Sequence, residues 1–157
     1  MKKILFLLLL SPLLLSAQNL REQLQRCPVV IENGKINYYM PQQQGAYFQL
    51  PPARKPWYVN IMHVPWVAPL TKPVDETQNN LLSGLAVQTN QTNLSTEDKS
   101  LFLRKLAWCV MLHTAKAKEI DKKLINFARQ ISDDNDITIS SQAKLVVKLV
   151  EDYGGIK

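Results

Sequence analysis

The chain has 157 residues, of which 46% are hydrophobic and 20% are charged, and its formal net charge is +6 at pH 7. This composition is typical of a single globular domain and is too apolar for a disordered chain. Five glycines and two cysteines exclude collagen-like and disulfide-dense folds, and no apolar run after the N-terminus approaches the roughly 18 residues of a membrane helix.

The first 17 residues have the pattern of a secretory signal peptide. Two lysines precede a leucine-rich stretch, and Ala17 supplies the small residue expected before a cleavage site. An uncleaved membrane anchor is the alternative, but Ser11-Pro12 interrupts a stretch that is already short for a span. We therefore expect residues 1–17 to be removed, and the mature chain to reach a bacterial periplasm, the cell surface or the medium with no stable membrane span.

The distribution of proline and glycine divides the mature chain into two regions. Eight of the nine prolines lie between Pro28 and Pro73, whereas no glycine occurs from Leu85 to Tyr153. Because proline disfavours helix interiors, this shift predicts a β-rich region over residues 27–90 and a helical region over 95–153. Each is short for an independent domain, so residues 18–157 are predicted to form one α+β domain. Its small antiparallel sheet would pack against a long central helix and a C-terminal helix.

Asn33-Gly34 predicts a β-hairpin. It lies between two β-prone runs, Val29–Glu32 and Lys35–Met40, and Asn-Gly tolerates the positive φ angles of a two-residue turn. Counting outward from the turn gives the register, which pairs Glu32 with Lys35, Ile31 with Ile36, Val30 with Asn37 and Val29 with Tyr38. One face of the hairpin is then apolar, formed by Val29, Ile31, Ile36 and Tyr38.

The rest of the β-rich region predicts further strands separated by loops. Ala46–Leu50 and Trp57–Val67 are strand candidates, and the proline-rich residues 51–56 between them should form a stiff, extended connection. Residues 70–80 are interpreted as a loop, and Leu81–Val87 as either one more strand or a short helix.

A helix is predicted to begin at Ser95, which provides a cap oxygen ahead of two acidic residues. Apolar residues then recur every three or four positions from Phe102 to Ile131, which is the helical period. A straight helix over Thr96–Ile131 would be about 54 Å long, which is large for this domain. We therefore expect a break or kink near Thr114.

The C-terminal part predicts an acidic turn over residues 132–136 and a second helix from about Ser141 to Asp152. The aspartates of the turn do not form an EF-hand, because glycine and glutamate are missing from the required positions. Gly154 is interpreted as a left-handed stop of the second helix.

Cys27 and Cys109 are predicted to form a disulfide. Cys27 is predicted on the apolar face of the hairpin and Cys109 in the apolar stripe of the central helix. An isolated pair of cysteines in an oxidising compartment usually forms one disulfide bond. Two buried free thiols are the alternative. Cys109 also lies four residues before His113 on one helix face, which allows a nucleophile–base dyad. Together with Cys27 and His63 these residues supply the donors of a tetrahedral zinc site, although their spacing matches no known zinc motif.

The segment Tyr47–Trp66, which we call the aromatic–proline segment, is the candidate binding surface. Aromatic and arginine side chains dominate interface hot spots, and a stiff segment loses little entropy on docking. The predicted partner-binding residues are Tyr47, Arg54, Trp57, Tyr58 and Trp66. The alternative is that these aromatic side chains fill the core of a small sheet.

The sequence favours a non-enzymatic function. It contains no serine-nucleophile elbow, phosphate loop, metalloprotease helix or paired-carboxylate signature, and no cofactor is expected. Removal of the leader lowers the formal net charge from +6 to +4, a mild excess that does not predict a nucleic-acid partner. We expect an exported protein-binding or envelope-assembly module whose partner is another envelope or secreted protein. The alternatives are a small thiol-dependent hydrolase using Cys109 and His113, and a metal carrier.

Overall fold

The computed structural model describes residues 19–41, 55–67, 70, 72–112, 119–154 and 156. The predicted signal peptide and the candidate strand Ala46–Leu50 lie outside these residues. The strands are β1 (Val29–Glu32), β2 (Lys35–Met40) and β3 (Val59–His63). The helices are α1 (described over 19–26), α2 (Val74–Gln88), α3 (Thr96–Met111), α4 (Lys122–Ser132) and α5 (Ile137–Tyr153). The α+β class that the sequence predicts is confirmed.

The hairpin of β1 and β2 has the predicted turn and register. Asn33 and Gly34 adopt φ angles of 51° and 67°, as a type I′ turn requires. All four predicted pairs are present, from Glu32 opposite Lys35 to Val29 opposite Tyr38. The predicted apolar face is buried against the helices, and Cys27 and Met40 extend it at the open end of the hairpin, away from the turn.

The sheet is mixed, whereas the sequence predicted an antiparallel one. The strand order is β1-β2-β3, and β3 runs parallel to β2, with Ile36 opposite Val59 and Met40 opposite His63. A parallel neighbour needs a connection of about a dozen residues or more, because the chain must return to the start of the first strand. The segment between Met40 and Val59 has that length, but alternation within a strand does not show which way its neighbour runs.

Helix α3 is the central element, as predicted. Its contacts reach α2, α5 and β1, and its buried side chains form the middle of the core: Phe102, Leu103, Leu106, Ala107, Cys109, Val110 and Met111. The ring of Phe102 packs edge-on against Phe127 of α4 at 5.0 Å between centroids. Because α3 is apolar around most of its circumference, it can be covered on several sides at once.

The opposite face of the sheet is covered at one end by α1. Leu24 of α1 packs with Val64 and Val67, which follow β3, and with the partly buried Val30 and Tyr39. The two clusters on the two faces explain why the hairpin is buried on both sides although only one face reads as apolar.

The long apolar stripe forms two helices, which confirms the predicted break. Helix α3 ends at Met111 and α4 begins at Lys122, while Thr114 itself lies outside the described residues. The predicted cap is present, because the Ser95 side chain accepts a hydrogen bond from Asp98 N at 3.1 Å. Asp121 caps α4 by accepting from Lys123 N at 2.8 Å.

Helix α2 corrects the prediction of a loop over residues 70–80. Its first turn carries two acidic residues, which suit the positive end of the helix dipole. Polar residues in the first half of α2 conceal the helical pattern, and one of them is buried: Gln78 donates from Nε2 to the Cys109 carbonyl at 3.1 Å. The helix therefore docks on α3 partly through a polar contact that hydrophobic periodicity cannot detect.

The C-terminal helix differs from its prediction at both ends. It begins at Ile137 and not at Ser141, because the Asp136 side chain caps it by accepting hydrogen bonds from the backbone amides of Thr138 and Ile139. Gly154 follows it with φ −75° and ψ 124°, so its backbone is extended and not left-handed. Glycine is required there for space, since a Cβ atom would lie 2.6 Å from the Val150 carbonyl oxygen.

Candidate functional site

Both cysteines are buried free thiols, so the predicted disulfide is not present in this structure. Cys27 and Cys109 have no exposed surface, and both belong to the main core. Burial raises the pKa of the Cys27 thiol to about 11 and the pKa of the Cys109 thiol to about 12. The thiolate is the reactive form of cysteine, so this environment opposes nucleophilic chemistry at Cys109. His113, the proposed base, lies outside the described residues.

The described part of the chain contains no cluster of side chains that supports the metal-site alternative. No three His, Cys, Asp or Glu side chains converge there. His63 is exposed at the end of β3, whereas Cys27 and Cys109 are in the core. Three of the four proposed ligands are therefore described, and the structure does not bring them together.

The aromatic–proline segment divides into buried and exposed aromatic residues. Tyr58 is 1% exposed and its hydroxyl donates to Asp152 Oδ2 at 2.6 Å, so it lies in the core, as the alternative interpretation of this segment expected for its aromatic side chains. Burial and then Asp152 raise the pKa of this hydroxyl. Trp57 and Trp66 are 70% and 44% exposed. Tyr47 and Arg54 lie outside the described residues.

Trp57 is held by two lysines from other elements. Lys35 Nζ lies 4.5 Å from the centroid of the Trp57 ring and also donates to the Trp57 carbonyl at 2.6 Å. Lys148 Nζ of α5 lies 5.9 Å from the same ring and 5.2 Å from the Tyr58 ring. Cations at these distances are attracted to aromatic faces. We call Trp57, Lys35 and Lys148 the Trp57 platform.

Neither lysine of the Trp57 platform was predicted as a site residue. Lys35 was assigned to a cross-strand pair with Glu32, and that backbone pairing exists, but its ammonium group reaches Trp57. Lys148 is distant in sequence, and only the packing of α5 against β2 brings it near. The position of Lys35 immediately after the Asn-Gly turn was the local signal that could have marked it as a candidate site residue.

The two outer strands of the sheet differ in how their edges are covered. At β1, the Val29 carbonyl accepts from Arg104 Nε and the Ile31 carbonyl accepts from Gln142 Nε2 at 3.0 Å. β3 is the other outer strand, and within the described ranges it pairs only with β2. Met62 of β3 is 43% exposed. Trp57 and Trp66 lie before and after β3 in the chain.

A pocket of about 530 Å³ lies between α1, the end of β2, α2 and α3. Leu24, Met40, Leu81 and Leu85 supply apolar walls, and the pocket is also lined by Arg26, Lys72 and Lys105. None of these residues was singled out as a site residue by the sequence analysis. The pocket is assembled from four separate elements, so no contiguous motif records it.

Comparison with protein-family models, curated proteins and solved structures finds no match, so no relative assigns a role to the Trp57 platform or to the pocket. In the part of the chain that the structure describes, none of the helices combines the length and apolar character needed to cross a membrane.

Proposed function

We propose that this chain is an exported, non-enzymatic protein-binding or envelope-assembly module that docks its partner on the Trp57 platform and the adjoining edge of β3. The observation that carries the proposal is the exposure of Trp57, which is 70% accessible although its ring is in contact range of two lysines. Tryptophan is enriched among interface hot spots. A ring already held in place loses little rotamer freedom when a partner covers it.

Strand addition at β3 is the docking mode that the sheet supports. An extended peptide can add to an outer strand through main-chain hydrogen bonds, with side-chain specificity supplied by neighbouring groups. The edge of β1 is occupied by Arg104 and Gln142, so β3 is the strand that offers its edge among the described residues. Lys35 and Lys148 beside Trp57 favour a partner segment that carries Asp or Glu.

A library of short random peptides selected on the folded protein tests this docking mode. We expect enrichment of acidic peptides with alternating apolar residues, and binding that weakens as salt rises, because exposed charges are screened. Trp57→Ala should weaken the selected peptides about 30-fold, the effect of a hot spot. Ile137→Ala is the matched control, since Ile137 is 82% exposed at the start of α5.

Three results would contradict the proposal. Trp57→Ala could retain full peptide binding, the Ile137→Ala control could lose as much as Trp57→Ala, or the selected peptides could be basic. Thermal unfolding of each variant must first show that it is folded, which separates lost contacts from lost structure.

Export is the separate half of the proposal and is supported by the signal-peptide pattern of residues 1–17. Expression of the full chain in a bacterium, followed by mass measurement of the periplasmic protein, tests it. A mass lacking residues 1–17 supports export, whereas a full-length chain confined to the cytoplasm contradicts it.

A further inference from the structure

The pocket has the size and the composition of a small-ligand site. Its volume of about 530 Å³ lies within the range of about 300–1,000 Å³ that is usual for such sites. Helix α2 lines it with residues spaced three or four apart, namely Leu81, Gly84, Leu85 and Gln88. Gly84 leaves open space in this wall, because a Cβ atom there would meet no atom within 4 Å.

The charges around the pocket have one sign. Arg26, Lys72 and Lys105 line it, and among the residues that the structure describes no acidic side chain does. Arg26 and Lys72 each pair with a glutamate one turn away on their exposed sides. Lys105 of α3 is half-buried and has no carboxylate partner among the residues that the structure describes. Its ammonium group is thus the cation most available to an anionic ligand.

Two buried polar atoms in the lining lack hydrogen-bond partners. Trp108 Nε1 and Gln88 Oε1 make no hydrogen bond of normal geometry within the described part of the chain. Burial raises the pKa of the Tyr38 hydroxyl to about 12, and the nearby Trp108 side chain acts in the opposite direction. The Trp108 indole N–H nevertheless does not reach normal hydrogen-bond geometry with that hydroxyl. Buried polar groups are nearly always satisfied, so the Trp108 N–H is available to an acceptor, whereas Gln88 Oε1 is itself an acceptor and would need a donor.

Lys105 and Trp108 are three residues apart on α3 and therefore lie on the same helix face. An ammonium group and an indole N–H placed side by side donate to the same acceptor, and a carboxylate accepts from both through its two oxygens. Helix α2 adds Leu81, Gly84 and Leu85 to the lining together with the polar Thr77, Asn80 and Gln88, and the strip formed by Leu81, Gly84 and Leu85 suits a hydrocarbon chain.

We propose that this pocket binds a free fatty acid, with the carboxylate at Lys105 and Trp108 and the acyl chain along the face of α2 that contains Leu81, Gly84 and Leu85. No residue of the Trp57 platform lines the pocket, so the two proposals stand or fall separately. Monoanionic charge, an apolar chain and a single carboxylate are the features that the lining recognises.

Tryptophan quenching by monomeric 2-bromododecanoate, whose bromine lies next to the carboxylate and therefore next to Trp108 in the proposed pose, tests this site directly. The chain has three tryptophans, and Trp57→Phe with Trp66→Phe leaves Trp108 as the only one. We expect saturable quenching of Trp108 in this variant at concentrations where the ligand forms no micelles. Dodecyltrimethylammonium, which has a similar chain and the opposite charge, should not compete with it.

Two pairs of matched variants locate the ligand. Lys105→Met should weaken binding about tenfold or more, because a charge-assisted hydrogen bond is lost. Lys144→Met, an exposed lysine on α5, should leave affinity unchanged. Gly84→Leu should abolish binding by filling the open wall of α2, whereas Ser83→Leu, on the next face of the same helix, should not.

The proposal is overturned by absence of saturable quenching, by equal competition from the cationic amphiphile, or by wild-type affinity in Lys105→Met or Gly84→Leu. Quenching that requires brominated anionic phospholipid vesicles and is absent with the monomer would instead show a membrane-surface interaction, and would also overturn it. Thermal melts provide a second readout, since monomeric dodecanoate should raise the unfolding temperature of the wild type and not of Gly84→Leu.

Discussion

Replacing Arg104 by methionine should destabilise this protein strongly. Arg104 lies among the core-forming residues of the central helix α3, and its guanidinium group donates to three backbone carbonyls. Nε donates to Val29, and Nη2 donates to Cys27 at 3.0 Å and to Gln23 at 3.2 Å. One side chain therefore attaches α1, the connection after it and the first residue of β1 to the core.

The magnitude follows from which of these carbonyls water can reach. The bond to Gln23 is exposed, so water replaces it at little cost. Cys27 and Val29 are fully buried residues, and hydrogen bonds to a charged donor are worth about 1.5–3 kcal/mol each. Burial lowers the pKa of Arg104, which shows that the cation itself is desolvated, and its removal returns part of that energy. We expect a net loss of about 2–4 kcal/mol.

Urea unfolding of Arg104→Met measures this loss. With a denaturant dependence of about 2 kcal/mol per molar urea, the unfolding midpoint should fall by about 1–2 M. Arg129→Met is the control, because Arg129 pairs with Glu151 at 2.7 Å where both side chains are about half exposed, and such pairs contribute less than about 1 kcal/mol. An Arg104→Met midpoint no lower than that of Arg129→Met would refute the reasoning.

Two further predictions concern the thiols and the acidic turn. Because Cys27 and Cys109 are free and buried, a thiol-specific reagent should modify neither cysteine in the native protein. After unfolding without reductant, the reagent should modify both. An unfolded protein that does not react would instead establish the disulfide that the sequence predicted. The Lys99 ammonium group donates to Asp134 at 2.5 Å and holds the pKa of that carboxyl below its usual value. The resulting stabilisation is complete above the unfolded-state pKa of about 3.9 and is lost as the pH falls through the folded-state pKa. The urea midpoint of the wild type should therefore be higher than that of Asp134→Asn at neutral pH, and the two midpoints should converge in acid.

Local signals predicted the hairpin and the start of α3. Asn33-Gly34 demands a turn with positive φ angles, and alternation then determines the register to the residue. Ser95 and the acids after it similarly predicted the beginning of α3. In both places the information lies within a few residues, which is the range over which turn and capping chemistry acts.

Helix α2 and the direction of β3 were not predictable from such signals. Gln78 is buried because its amide bonds to the backbone of α3, so a core position of α2 reads as polar in the sequence. The parallel direction of β3 depends on where a long connection returns the chain. Both features are decided by tertiary contacts between residues far apart in sequence.

The candidate sites show the same division. The composition of the aromatic–proline segment does not separate the exposed Trp57 from its neighbour Tyr58, which is buried in the core and donates to Asp152 of α5. Lys148 comes to Trp57 from the same helix. The fatty-acid pocket combines residues from α1, β2, α2 and α3, so no single stretch of sequence carries its pattern.

The unequal edges of the sheet connect the fold to the proposed function. An uncovered outer strand invites association with other strands, and proteins usually block it. At β1 that blocking is elaborate, since the desolvated Arg104 and the Gln142 amide both donate to edge carbonyls. In the proposed docking mode an added strand would therefore pair with β3, where Met62 is exposed and the exposed Trp57 precedes the strand. Arg104→Met should therefore reduce stability through β1 without changing peptide affinity at β3.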